Sequence, residues 1–391
     1  MPPGATPTDE ISRKRRATVA VFGAFVVAGV ITTLLGPILP VLIVRWSLTD
    51  ERAGLFFFCQ FGTSLAGVGS LGLLLPRVGY KAAFAAGYAA VACGIACLNS
   101  SDHVSGLIAT CLYGYGLGFV LPASNLWVAE VAGSRRVAAL SLLNFTWGIG
   151  AVACPALVLL AEKNHAISLF LFSLAGLALA IAVILAVIDL EPGSRALSET
   201  GPRGVPAGYI ATVALGALFF LYVGAENSVG GWAAELAKRT NASGGTLWVI
   251  APMFFWGGLL LGRALVPLLS LRKREKVLIT SGLMTGLAGT TLLLMVRTFP
   301  GVAACVALSG LGFAAVYPVL VTWTAKRFGA RARRFGNVMF ALAGLGGAVM
   351  PWLVGIFSTR LGSLQAGLVV TVVSCCVMVG LLVLIPREVS T

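Results

Sequence analysis

The sequence predicts an all-α integral membrane protein of twelve transmembrane helices, arranged as two parallel six-helix repeats. Three observations predict it. Apolar residues fill 58% of the 391 positions. The apolar residues gather into twelve runs, each long enough to cross a bilayer. Segments of the first six runs recur in the second six.

Composition sets the class. Charged residues make up 11% of the chain, against about 25% in a soluble domain, so the apolar surface must face lipid. Glycine reaches 48 residues, which suits membrane helices that associate by close packing. The net charge of +14 does not indicate nucleic acid, because the cations lie between the apolar runs. All eight cysteines fall inside apolar runs, and no CxxC pair occurs. They are read as small buried thiols rather than disulfide partners or metal ligands. His103 and His165 lie in short loops, which leaves no histidine for a buried proton relay.

A span needs about 20 helical residues. The runs are 18–44, 53–75, 80–98, 104–131, 137–161, 167–190, 207–236, 244–270, 277–297, 300–326, 336–358 and 363–385. The first follows Arg13-Lys14-Arg15-Arg16 and is too long for a cleaved signal segment, so it is read as a retained helix. With the N-terminus placed inside, 20 Lys and Arg residues fall on inner segments and 7 on outer ones. That bias predicts a multi-pass protein of the inner (plasma) membrane with both termini cytoplasmic.

The chain divides into a six-helix half at 1–190, a polar cytoplasmic linker at 191–206 and a second half at 207–391. Gly116–Phe119 (GLGF) recurs at Gly310–Phe313, and GIGAVACPALV at 148–158 matches GLGGAVMPWLV at 344–354. The offsets are 194 and 196 residues. Two parallel repeats around a central linker resemble the architecture of the major facilitator transporters, in which solute binds between the halves near the midplane.

The loop from Gly72 to Lys81, GLLLPRVGYK, is similar to the facilitator signature G-x-L-x-D-R-x-G-R-K, with Pro76 in place of Asp and Tyr80 in place of Arg. The Tyr-Lys ending, and Tyr222-Val-Gly-Ala-Glu226 in the seventh run, resemble the fucose permease-like branch of fucose, galactose and glucose symporters. Asn125, Asn144 and Tyr317-Pro318 add weaker matches. The resemblance implies a proton-linked sugar carrier. However, the branch's carboxylates in helices 1 and 4 are missing: helix 4 has Leu121 at that position, and helix 1 has no acid between residues 17 and 44. Proton coupling therefore does not carry over.

A charge in mid-membrane costs at least about 2.5–3.5 kcal/mol, so it marks function. Glu226 is the one carboxylate read as deep. It is expected to be a substrate ligand, a coupling-ion site or a structural acceptor. Candidate partners in a solute pocket are Tyr222, Asn227, Gln60, Asn125, Asn144, Tyr317 and Thr33, whose amides and hydroxyls suit a polyhydroxylated ligand. Trp147 and Trp256 offer flat faces to a sugar ring. Each of these could instead serve helix packing. Glu130 is expected to form an inner gate with Arg77, Arg135 or Arg136. Asp189 and Glu235 are read as facing water, and Arg263 as snorkelling to the surface. Gly36-Pro37, Pro122, Pro155, Tyr317-Pro318 and Pro351 are expected to interrupt helices.

No phosphate-cradling loop, nucleophile–His pair or metal cluster is evident, so no enzyme activity, cofactor or metal is expected beyond a coupling proton or sodium ion. The expected partners are a small-molecule substrate, a sugar first, and the lipid bilayer, with no nucleic acid and a monomeric state. The expected function is secondary active or facilitative transport by alternating access. Two alternatives stay open: a drug or metabolite exporter of the same fold, and a non-transporting membrane receptor or chaperone subunit. The exporter's G-P-x-x-G-G stretch is not matched by Cys154-Pro155-Ala-Leu-Val.

Overall fold

The computed structural model describes residues 7–190, 209–240, 245–270, 274–329 and 332–385. The 191–206 linker lies outside them. The described residues form thirteen α-helices. These are α1 (Pro7–Thr33), α2 (Leu35–Trp46), α3 (Asp50–Cys97), α4 (His103–Ala132), α5 (Arg136–Lys163), α6 (Ile167–Val187), α7 (Tyr209–Thr240), α8 (Ala251–Ser270), α9 (Glu275–Leu293), α10 (Phe299–Phe313), α11 (Val316–Phe328), α12 (Ala332–Leu361) and α13 (Leu364–Leu381).

Ten stretches among them are long and apolar enough to cross a membrane, and two are of double length: Asp50–Cys97 and His103–Lys163. The first turns at Gly79 (φ 72°) and the second at Gly133 (φ 53°). Both angles lie in the left-handed region that glycine adopts without strain. Counting each double stretch twice gives the twelve crossings expected from hydropathy.

In two crossings the helical hydrogen-bond ladder is interrupted while Leu34, Ala314 and Ala315 keep right-handed helical angles, and proline explains both. Pro37 has no N–H to offer the Thr33 carbonyl, and Pro318 has none for Ala314. The helix accordingly stops at Thr33 and restarts at Leu35, and stops at Phe313 and restarts at Val316. The expected interruptions at Pro122, Pro155 and Pro351 do not occur. Those prolines sit inside continuous α4, α5 and α12.

The chain packs as two compact units. The first comprises Met1–Thr32, Thr63–Ala151 and Asn164–Leu197. In it α5 lies so close on α1 that a Cβ on Gly150 would stand 1.9 Å from the Val26 carbonyl oxygen. Tyr88 donates a hydrogen bond to the Ala24 carbonyl at 2.7 Å. The apolar outer face of α6, with Phe172, Val183 and Val187 more than half exposed, is surface that suits lipid.

The second unit comprises Thr33–Gly62, Val152–Lys163 and Ser198–Thr391. Its centre is α7, packed on α12, α13 and α2. A Cβ on Gly346 of α12 would lie 1.9 Å from the Phe220 carbonyl oxygen. Gly150 and Gly346 are the matched glycines of the 148–158 and 344–354 repeat, and each brings its helix into backbone contact with the first helix of its own half. The GLGF match is less faithful in packing. Gly116 meets Gly87 of α3, whereas Gly310 meets Phe255 of α8.

Candidate functional site

Helix α7 carries the deep carboxylate. Glu226 lies near the middle of Tyr209–Thr240 and is 8% exposed. Tyr222, four residues earlier, shares its face and is fully buried. From α8, Arg263 turns toward them: its Nη2 is 3.9 Å from Glu226 Oε1, beyond hydrogen-bonding distance. This corrects the snorkelling assignment of Arg263. A charge needs a counter-charge more than it needs a surface when one lies within reach.

The Tyr222 hydroxyl stands beside both Glu226 and Arg263. Among the described residues it has no hydrogen-bond partner, and neither has Arg263 Nε. Aromatic rings enclose the group. Tyr317 lies 6.1 Å from Tyr222 between centroids, and Phe313 lies 6.0 Å away edge-on. Trp256 is 6% exposed and packs over Gly230, one turn beyond Glu226. Asn227 donates to the Val223 carbonyl of its own helix at 2.8 Å.

The remaining expected ligands have the following contacts. In the first unit, Asn144 Nδ2 is 3.5 Å from Asn125 Oδ1, and both amides also donate to carbonyls of their own helices at 2.8 Å. Trp147 Nε1 lies 3.5 Å from Thr32 Oγ1. In the second unit, Thr33 and Gln60 are buried, and the Thr33 side chain meets the Cys154 thiol.

Of the expected inner-gate residues, Glu130 has its carboxylate beside the Tyr80 hydroxyl. Tyr80 is the residue that replaces Arg in the signature loop. Arg77 donates instead to the Leu73 carbonyl at 2.8 Å. Arg135 and Arg136 are exposed at the α4–α5 connection.

A charge cluster that sequence reading missed joins the start of α3 to the ends of α7 and α12. Arg239 holds Asp50 through two bonds and Glu235 Oε1 through Nε at 2.7 Å. Ser358 adds its hydroxyl to Asp50. Lys238 beside it donates to the Pro40 carbonyl at 3.0 Å and lies over the Trp248 ring. Glu235 is 5% exposed, so it does not face water as expected. The one local signal was an acid in the first turn of α3 and bases in the last turn of α7, each placed favourably for its helix dipole.

No family model matches the sequence, and no curated protein matches it. Solved structures do. A bacterial homologue of the human lysosomal transporter Spinster, inward-facing and unoccupied, superposes with a TM-score of 0.76 at 14% identity, covering 98% of both chains. A mutant of the nucleoside transporter NupG gives 0.75 at 12% identity, covering 95% of this chain and 99% of that one. A mutant of the E. coli fucose:proton symporter FucP gives 0.62 at 16% identity, covering 95% and 98%. The fold is that of the major facilitator transporters, and the chain is a multi-pass membrane protein.

Proposed function

We propose that the protein is a secondary transporter working by alternating access, and that its solute is a sugar or a similar small polar molecule bound around Glu226. One observation carries the reading. A carboxylate, a guanidinium and a tyrosine hydroxyl meet at the middle of α7 and α8 with bonding capacity unspent, where burial alone makes them costly. The fold's similarity to transporters of dissimilar cargo supports transport in general. The helix 7 motif is what favours a sugar.

The same reading places both termini and the 191–206 linker in the cytoplasm, and makes the protein a monomer in the inner membrane. Uptake into proteoliposomes from a panel of labelled sugars, under imposed proton or sodium gradients, tests the function. Saturable uptake of at least one solute supports it, and its absence across the panel refutes it. Labelling of a cysteine at position 198 by an impermeant reagent, from outside intact cells, would refute the orientation.

A further inference from the structure

Two polar groups beside Glu226 are buried with hydrogens to give. Arg263 brings five N–H donors and Tyr222 one O–H. Arg263 Nε and the Tyr222 hydroxyl are buried without a partner. The carboxylate paired with Arg263 is Glu226, at 3.9 Å. Asn227 spends its amide hydrogen on its own helix. Arg263 therefore keeps donor capacity for a further acceptor, and its Nε and the Tyr222 hydroxyl are the groups left over. A neutral hydroxyl adds a donor for each acceptor it supplies, whereas a carboxylate adds acceptors only. Its two oxygens also match the planar fork of a guanidinium. Side-chain exposures of 27% for Arg263 and 11% for Glu226 leave both within a ligand's reach, and the Tyr222 hydroxyl stands beside them.

Resting on the transporter reading, we infer that this site takes a small hydroxylated carboxylic acid, whose carboxylate binds Arg263 and Tyr222 while Glu226 accepts one proton. The charges balance. Empty, the site holds one cation and one anion. An incoming carboxylate would leave it at minus one in a medium where that is costly. One proton, moving from solvent to a Glu226 carboxylate oxygen, restores neutrality. Solute and proton then leave together, and the cycle moves no net charge. The titratable or charged groups recorded around Glu226 are Arg263 from α8, Tyr222 from α7 and Tyr317 from α11. Among the described residues, α12 presents Gly346, Gly347 and Met350 toward α7, none of them ionisable.

Proteoliposomes loaded with a pH-sensitive dye test this with D-gluconate, L-lactate and D-glucose. Gluconate entry should acidify the lumen, at a rate indifferent to a potassium–valinomycin clamp. Arg263→Lys should weaken gluconate binding at least about tenfold, because a point charge replaces the fork. Tyr222→Phe, a milder change less prone to misfolding, should weaken it about fivefold through one lost donor. Glu226→Gln should abolish the acidification and the pH dependence of gluconate exchange. Glucose uptake without gluconate or lactate uptake would overturn the carboxylate assignment and leave the transporter reading standing. So would gluconate entry that carries current. Uptake of none of the three, and of no sugar in the wider panel, would overturn both.

Discussion

Arg239 grips both carboxylate oxygens of Asp50, although 189 residues separate them. The pair ties the start of α3 to the end of α7, and Glu235 and Ser358 complete the cluster. Asp50 and Glu235 are both nearly buried, so the cation offsets two desolvated anions at once.

Arg239→Gln should therefore destabilise the protein by about 2 kcal/mol. That is the low end for truncating a buried charge pair, because the Arg239 side chain is itself 36% exposed. Adding Asp50→Asn should recover part of the loss, since the two sites share a partner. Thermal unfolding in detergent measures both. Additive losses would mean that the residues act independently.

Gly346→Ala should cost about 1–3 kcal/mol, the range for overpacking a close contact. The new methyl would meet the Phe220 backbone, which has no rotamer with which to give way. Gly176→Ala on α6, where nothing lies within 4 Å, should leave the midpoint unchanged or slightly raised. Equal effects at the two sites would remove the packing argument.

Tyr80→Phe should cost about 1 kcal/mol through loss of the hydrogen bond to Glu130. If that bond is the function of Glu130 at this end of α4, Glu130→Gln in the Tyr80→Phe background should add little. Spin-label distances between the α3 turn and the α4 end read the same coupling. Broadening in Glu130→Gln but not in Tyr80→Phe would return Glu130 to a gate formed with the arginines.

Asp102 caps α4. Its carboxylate accepts from the Ser105 N–H at 2.9 Å and from the Ser105 hydroxyl. The backbone bond from Ser105 is the larger cause holding its pKa below the usual carboxylate value. A depressed pKa means that the cap is present at neutral pH and lost as pH falls through the folded-state value. Amide exchange at Ser105 and Gly106 should speed up in acid, and in Asp102→Ala it should be fast already at neutral pH. Exchange indifferent to pH, beyond the intrinsic chemistry, would show the cap to be idle.

The spans were legible because hydropathy is a one-dimensional signal. The runs at 167–190 and 363–385 fold as α6 and α13. Glu226 and Tyr222 were legible because four residues of spacing fix a shared face. Gly150 and Gly346 were legible as a repeat, though the backbone contact that each permits was not. What escaped was direction and distance along the chain. Depth in α8 placed Arg263 near a surface but did not reveal which way it turns. Glu235 was read as facing water because charges near span ends ordinarily do, and nothing in the sequence joined it to Asp50 and Arg239. Glu130 was assigned to Arg77, Arg135 or Arg136, while Tyr80, which stands where the signature has arginine, is the residue beside it.

The contact between Ser358 and Asp50 also bears on how the protein is made, since 308 residues separate its two ends. At a synthesis rate of about 5–20 residues per second, the acceptor waits roughly 15–60 s for its donor. For the first 189 residues of that interval the nascent chain holds an acid whose native cation, Arg239, has not been made. A ribosome stalled before the end of α7 would thus leave a partial chain in which Asp50 has no Arg239 to meet it.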